Sequence, residues 1–154
     1  SLFSQKGTLM FSPENLKLLI VLSGIGQIIL IVGSLAIPYV LQWKKELAPL
    51  NNLTRQMFWV YSAYIWGTNL SFGLVSAFAP HWLLNKDPLA IAVCGFIAVY
   101  WGARVLIQFF YFDRSCAPPG LFPKLAEIGL VLLFIWLTFV YSAVAILNAQ
   151  EILK

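Results

Sequence analysis

Long apolar runs separated by short polar connections dominate the chain, and the polar residues inside those runs recur at helical spacing. Four stretches are each long enough to cross the ~30 Å hydrocarbon layer of a bilayer, which takes about 20 helical residues. They run near Leu16–Leu41, Arg55–Ala79, Pro88–Phe112 and Phe122–Leu147. Backbone groups in lipid must find their hydrogen bonds within the segment, so each run reads as a helix. Connections this short make neighbouring helices antiparallel. The expected fold is therefore all-α, an integral membrane four-helix up-down-up-down bundle filling residues 1–154 as a single four-span domain.

Local punctuation supports these bounds. Ser12-Pro13-Glu14 offers an N-cap, a first-turn proline and an acid at the positive end of the helix dipole. Asp87-Pro88 repeats the device, Asn51 or Asn52 is placed to cap the second span, and Pro118-Pro119-Gly120 marks a loop. Pro38 interrupts the first run, so "IPYVLQWKKEL" is expected to leave the membrane as a bent interfacial continuation. Trp43 and Lys44-Lys45 would then lie at headgroup level. The first run is too long for the apolar part of a cleavable signal and is expected to remain as an anchor.

Composition points the same way. Hydrophobic residues make up 60% of the chain and charged ones only 10%, with a mean hydropathy of +0.83. Soluble domains carry about 25% charged residues, so the outer face of this protein must meet lipid. The formal charge of +4 comes from bases scattered over the connections rather than gathered in a stripe. Membrane lipids are accordingly the expected partners, together with other membrane subunits or further copies of the chain, and nucleic acid is not. Lys6, Lys17, Lys86 and Lys154 fall on one side of a four-span arrangement; Lys44, Lys45, Arg55, Arg114 and Lys124 fall on the other. Five against four puts the 41–54 and 113–121 loops in the cytoplasm and the termini on the non-cytoplasmic side. Cys94 lies inside a span and Cys116 beyond its end, about 30 Å apart along a helix, which is too far for a disulfide.

Small residues mark expected helix contacts: Gly26 with Gly33, Gly67 with Ser71, and Ala98 with Gly102. The polar rows carry more information, because an unpaired polar group in lipid costs kilocalories. They are Ser23, Gln27 and Ser34; Tyr61, Tyr64, Thr68 and Ser71, with Asn69 on a neighbouring face; Tyr100, Arg104, Gln108 and Tyr111; and Glu127, Thr138, Tyr141 and Asn148. One row per helix implies four rows pointing inward.

Arg104 and Glu127 are the base and the acid lying well inside predicted spans. Arg104 sits about 6 Å from the centre of its span, and its side chain can extend toward the depth of Glu127. A structural ion pair between them is one expectation. The other is that Arg104 holds an anionic or carbonyl-bearing ligand, with Gln108, Tyr61, Tyr64 and Glu127 around it. His81 is the sole histidine, in a short loop beside Trp82, which excludes a haem held by two histidines of this chain. It stays as a candidate for a shared cofactor. No paired carboxylates, nucleophile elbow, Cys-x-x-Cys or phosphate loop occurs, so no metal, catalytic residue or particular cofactor is indicated.

The segment "YWGARVLIQFFYFDRS" and the count of four helices are loosely similar to the glutathione-dependent membrane enzymes of eicosanoid metabolism. That resemblance implies a trimer binding glutathione between subunits through arginines and polar groups. The second helix here lacks the acidic residue that the family carries there. Two functions follow from the whole reading. One is a non-catalytic membrane protein, a small subunit or assembly partner of a larger complex; the other is a membrane enzyme or carrier for a lipophilic substrate near Arg104.

Overall fold

The computed structural model describes residues 12–113, 115 and 119–153. Arg114, Cys116 and Pro118, and the terminal lysines used in the charge count, lie outside the described residues. The described residues form helices and connections with no strand: α1 (Pro13–Ser34), α2 (Ile37–Val40), α3 (Trp43–Glu46), α4 (Asn52–Phe78), α5 (Pro80–Leu83), α6 (Pro88–Phe110) and α7 (Leu121–Ile152).

Each long helix starts where its sequence says it should. Ser12 accepts from the N–H of Asn15, Asn51 from that of Thr54 at 2.8 Å, and Asp87 from that of Leu89, satisfying donors at the helix starts. α7 has no side-chain cap; it begins after Gly120, whose φ of 126° is open to glycine and strained for other residues. Helix α1 stops at Ser34, four residues ahead of Pro38, and the chain leaves it through two single turns. Gln42, in the left-handed region at φ 53°, separates the two turns.

Three stretches are long and apolar enough to cross a membrane: α1 with its continuation to Val40, α6 and α7. In each, only 28% of the most apolar stretch is buried inside the molecule, so the remainder must face a non-aqueous solvent. This is the signature of an integral membrane protein. Helix α4 spans 27 residues but does not reach that apolarity. Tyr61, Tyr64, Thr68 and Asn69 dilute it.

Helices pair antiparallel. Gly24 of α1 meets Ser76 and Ala77 of α4, while Ile28 meets Gly73. Gly102 of α6 meets Thr138 of α7, while Gln108 reaches Glu127. The pairs join where α1 meets α7. Backbones come closest between α1 and α4: a Cβ on Gly24 would lie 2.8 Å from the carbonyl oxygen of Gly73. Of the expected contact glycines, Gly26 does meet a neighbour closely, with Leu133 of α7 3.2 Å from an added Cβ. Gly33 and Gly67 have nothing within 4 Å of an added Cβ, and Gly102 meets Thr138 at an ordinary 3.4 Å. Gly73-x-x-x-Ala77 is a small-x-x-x-small motif that carries the tight contact instead.

The interior holds a polar clasp built from all four long helices. Gln27 donates to the Tyr141 hydroxyl at 2.7 Å and to the Ser23 carbonyl at 3.2 Å, and its amide oxygen accepts from the Trp101 indole at 3.2 Å. The Ser76 hydroxyl bonds Tyr141. Gln27, Ser76 and Tyr141 are fully buried, and Trp101 nearly so. Ile97, Leu137, Val140 and Val144 pack around them. At one end, the Leu83 carbonyl of α5 accepts from Asn148 at 3.0 Å and from the Cys94 thiol at 3.6 Å, tying the 79–87 connection to α7 and α6.

The rows of α1 and α7 thus point inward as expected at Ser23, Gln27, Tyr141 and Asn148. The row of α4 does not. Tyr61 and Tyr64 are 56% and 70% exposed, and Asn69 and Ser76 are the buried polar residues of that helix. Thr68 and Ser71 donate to carbonyls one turn back, which lets them face outward at no cost in unmet hydrogen bonds. The amide oxygen of Asn69 is buried without a partner.

These contacts predict a stability series. Gly24→Ala should cost about 1–3 kcal/mol by pushing α4 off α1. Gln27→Leu should cost a similar amount, because it strands the buried Trp101 N–H and leaves Tyr141 with Ser76 alone. Gly67→Ala, in open space, should be neutral or slightly stabilising through helix propensity. Reversible unfolding of the three variants in mixed detergent micelles measures the order; a loss at Gly67 equal to that at Gly24 would contradict the packing.

Candidate functional site

Helix α6 places Arg104 four residues before Gln108, and the two side chains meet along one face. Arg104 Nη1 donates to Gln108 Oε1 at 3.1 Å, and Gln108 Nε2 donates to Glu127 Oε1 at 3.1 Å. A direct Arg104–Glu127 ion pair does not form; the ion pair among the described residues is Lys86–Glu151, at 3.2 Å on the surface. The reason is geometric. Gln108 is one turn on from Arg104 and lies between it and α7, so its amide serves the guanidinium with oxygen and the carboxylate with nitrogen.

Two rings complete the Arg104 environment. Its guanidinium carbon lies 4.9 Å from the Phe112 ring centroid and 5.1 Å from that of Phe134. Each such contact is worth about 0.5–2 kcal/mol, the larger value where water is excluded. Phe134 also stacks on Trp101, with centroids 5.3 Å apart, so one ring links Arg104 to the clasp.

Arg104 lines a groove of about 700 Å³ together with Ile65 of α4 and Phe96, Val99, Tyr100, Ala103, Ile107, Tyr111 and Phe112. The groove exists because α4 and α6 stand apart: Phe72 of α4 fills the space between them, edge-on to Phe96 at 6.0 Å and to Tyr100 at 5.3 Å. Its walls are apolar except at Arg104 and the two tyrosines. Glu127 lines a separate recess of about 160 Å³ with Phe109, Ile128, Val131 and Leu132. Gln108 connects the two.

Arg104, Gln108 and Glu127 are therefore brought together. Tyr61 and Tyr64 do not line the groove, and Ile65 is the residue of α4 that does. His81 lies on α5 with its ring edge-on to Trp82 at 5.9 Å, far along the chain from this site. Among the described residues, no three His, Cys, Asp or Glu side chains gather as a metal site would need. Just past α6, Asp113 is fully exposed; the hydroxyl and then the N–H of Ser115 hold its carboxyl below the usual carboxylate range, so it is anionic at neutral pH.

The groove aromatics Phe96 and Phe112, and the buried Phe134 beneath Arg104, were not legible as site residues, since an aromatic in a membrane span is ordinarily lipid-facing or packed. A second aromatic group lies where Trp43 of α3 folds back on α4, edge-on to Phe58 at 4.8 Å and stacked on Trp66 at 6.4 Å. Compared with protein-family models, with curated proteins and with solved structures, the chain gives no match. The site is therefore read from its own geometry.

The Gln108 relay makes a testable claim. Arg104→Leu and Glu127→Gln should be energetically coupled, by about 0.5–3 kcal/mol as for residues in one hydrogen-bond network. In a Gln108→Leu background that coupling should vanish. Double-mutant cycles on unfolding free energy in both backgrounds read it out, and coupling that survives the loss of Gln108 would rule out the relay.

Proposed function

We propose that the chain is a non-catalytic, four-span membrane protein that serves as a small subunit or assembly partner of a larger membrane complex. The observation that carries this reading is the filled interior. Gln27, Ser76, Trp101 and Tyr141 close the centre on one another and are buried there. The large apolar side chains turned outward, among them Leu18, Ile29, Ile65, Leu74, Phe96, Leu106, Leu132 and Ile146, suit contact with lipid and with neighbouring helices.

The fourth span in this reading is α4. Its 27 residues reach about 40 Å, enough to cross. Trp59 lies within its first eight residues, where interfacial rings settle. With four crossings the order is up-down-up-down, and the lysine and arginine balance puts the 41–54 and 113–121 loops in the cytoplasm.

Purification of the full chain in mild detergent from its native membrane, with mass spectrometry of the eluate, should yield a stoichiometric membrane polypeptide alongside it. The chain eluting alone, and turning over an added lipophilic substrate, would overturn the proposal in favour of an enzyme. Orientation is read in the same cells after Cys116→Ser: an impermeant thiol reagent should label Asn85→Cys and not Ala48→Cys.

A further inference from the structure

We propose that the Arg104 groove is a binding site for an anionic membrane phospholipid, which enters sideways between α4 and α6 and places its phosphate on the guanidinium. This rests on the chain being a membrane protein and is independent of whether it serves a larger complex.

Charge comes first. Among the described residues no carboxylate lies within ion-pair distance of Arg104. Its hydrogen bond goes to the neutral amide of Gln108, and its guanidinium carbon lies over the Phe112 and Phe134 rings. The Gln108 bond uses an N–H on Nη1, and a guanidinium carries five N–H groups in a fork that matches phosphate oxygens in pairs. A cation at this depth without a counter-charge is costly unless an anion joins it.

Shape selects the source of the anion. The groove walls are Ile65, Phe96, Val99, Ala103 and Ile107, which a soluble phosphate would leave uncovered and an acyl chain would cover. From Phe96 to Phe112 the groove follows α6 for about 24 Å, close to one leaflet with its headgroup layer, roughly 20–22 Å. The polarity runs in the right sense too. Arg104 and Tyr111 lie toward the end of α6 where the chain leaves the membrane, and Phe96 and Val99 lie toward its middle. A helix of a partner or of a second copy would meet this charge only by bringing an acid to the same depth. Asp113 and Glu127 are nearby anions that oppose binding; full exposure to water and salt screens Asp113, and Glu127 lies behind the Gln108 amide in its own recess.

The test uses the full chain reconstituted in dioleoylphosphatidylcholine vesicles with a trace of spin-labelled phosphatidylglycerol or spin-labelled phosphatidylcholine. Flotation establishes insertion before any lipid is compared. Electron spin resonance should show motionally restricted phosphatidylglycerol favoured over phosphatidylcholine by about tenfold, the ratio of one good charge-assisted contact. Arg104→Gln should bring that ratio to about one, and Arg104→Lys should keep most of it. Ala103→Trp, on the exposed wall of the groove, should reduce the restricted fraction of phosphatidylglycerol while leaving Arg104 in place; this variant carries the test should Arg104→Gln not fold. Equal restriction of the two lipids in the unaltered protein would overturn the proposal. So would a preference that survives both Arg104→Gln and Ala103→Trp. A photo-crosslinker at position 103 that captures a polypeptide instead of lipid would overturn it in favour of a protein occupant.

Discussion

The arrangement of the long helices depends on one buried amide. Gln27 sits at the centre of the molecule with its oxygen and its nitrogen both engaged, and through Tyr141 and Trp101 it reaches α7, α6 and, by way of Ser76, α4. Lipid gives helices no hydrophobic reason to associate, so specificity falls to close packing and to polar groups that have nowhere else to go. An amide stranded in hydrocarbon is penalised by several kilocalories. The observed packing keeps Gln27, Trp101 and Tyr141 satisfied together, and a packing that separates them would strand these groups.

The clasp works only because α1 and α4 approach closely enough for Ser76 to reach Tyr141 across the face of α1. Gly24 and Gly73 permit that approach: neither carries the Cβ that would meet opposing backbone. Drawing α4 onto α1 has a consequence on its other flank. It stands away from α6, Phe72 spans the separation, and the groove beside Arg104 is the space that remains. The tight contact and the open groove are two sides of one displacement.

Arg104 is tied into this scheme without being neutralised by it. Gln108 orients the guanidinium toward α7, and Phe134, fixed in turn by its stack on Trp101, caps one face. A residue held so firmly loses little further freedom when an anion arrives, which is how preorganised sites gain affinity. The charge is kept in the apolar region by aromatic faces and an amide rather than by a carboxylate.

What the sequence determined by itself is the class of the protein and the start of each long helix. Apolar run length, proline positions and capping residues act locally, so Ser12 and Asp87 could be assigned from neighbours within four residues and the second cap narrowed to Asn51 or Asn52. The inward rows of α1 and α7 were legible for the same reason: Gln27 and Tyr141 are polar residues amid apolar ones, and burial is their cheapest solution when a partner exists. The α4 row misled, because Tyr61, Tyr64, Thr68 and Ser71 can each settle at an interface or bond their own backbone, and their spacing does not reveal which they do. Only the tertiary structure decided that Gly24 and Gly73, not Gly33 and Gly67, mark the close contact, since a glycine's meaning depends on what stands opposite it. It also decided that Gln108 stands between Arg104 and Glu127. Depth along two helices can be counted from sequence, but rotation about their axes cannot, and that rotation is set by Gln27 and its partners on three other helices.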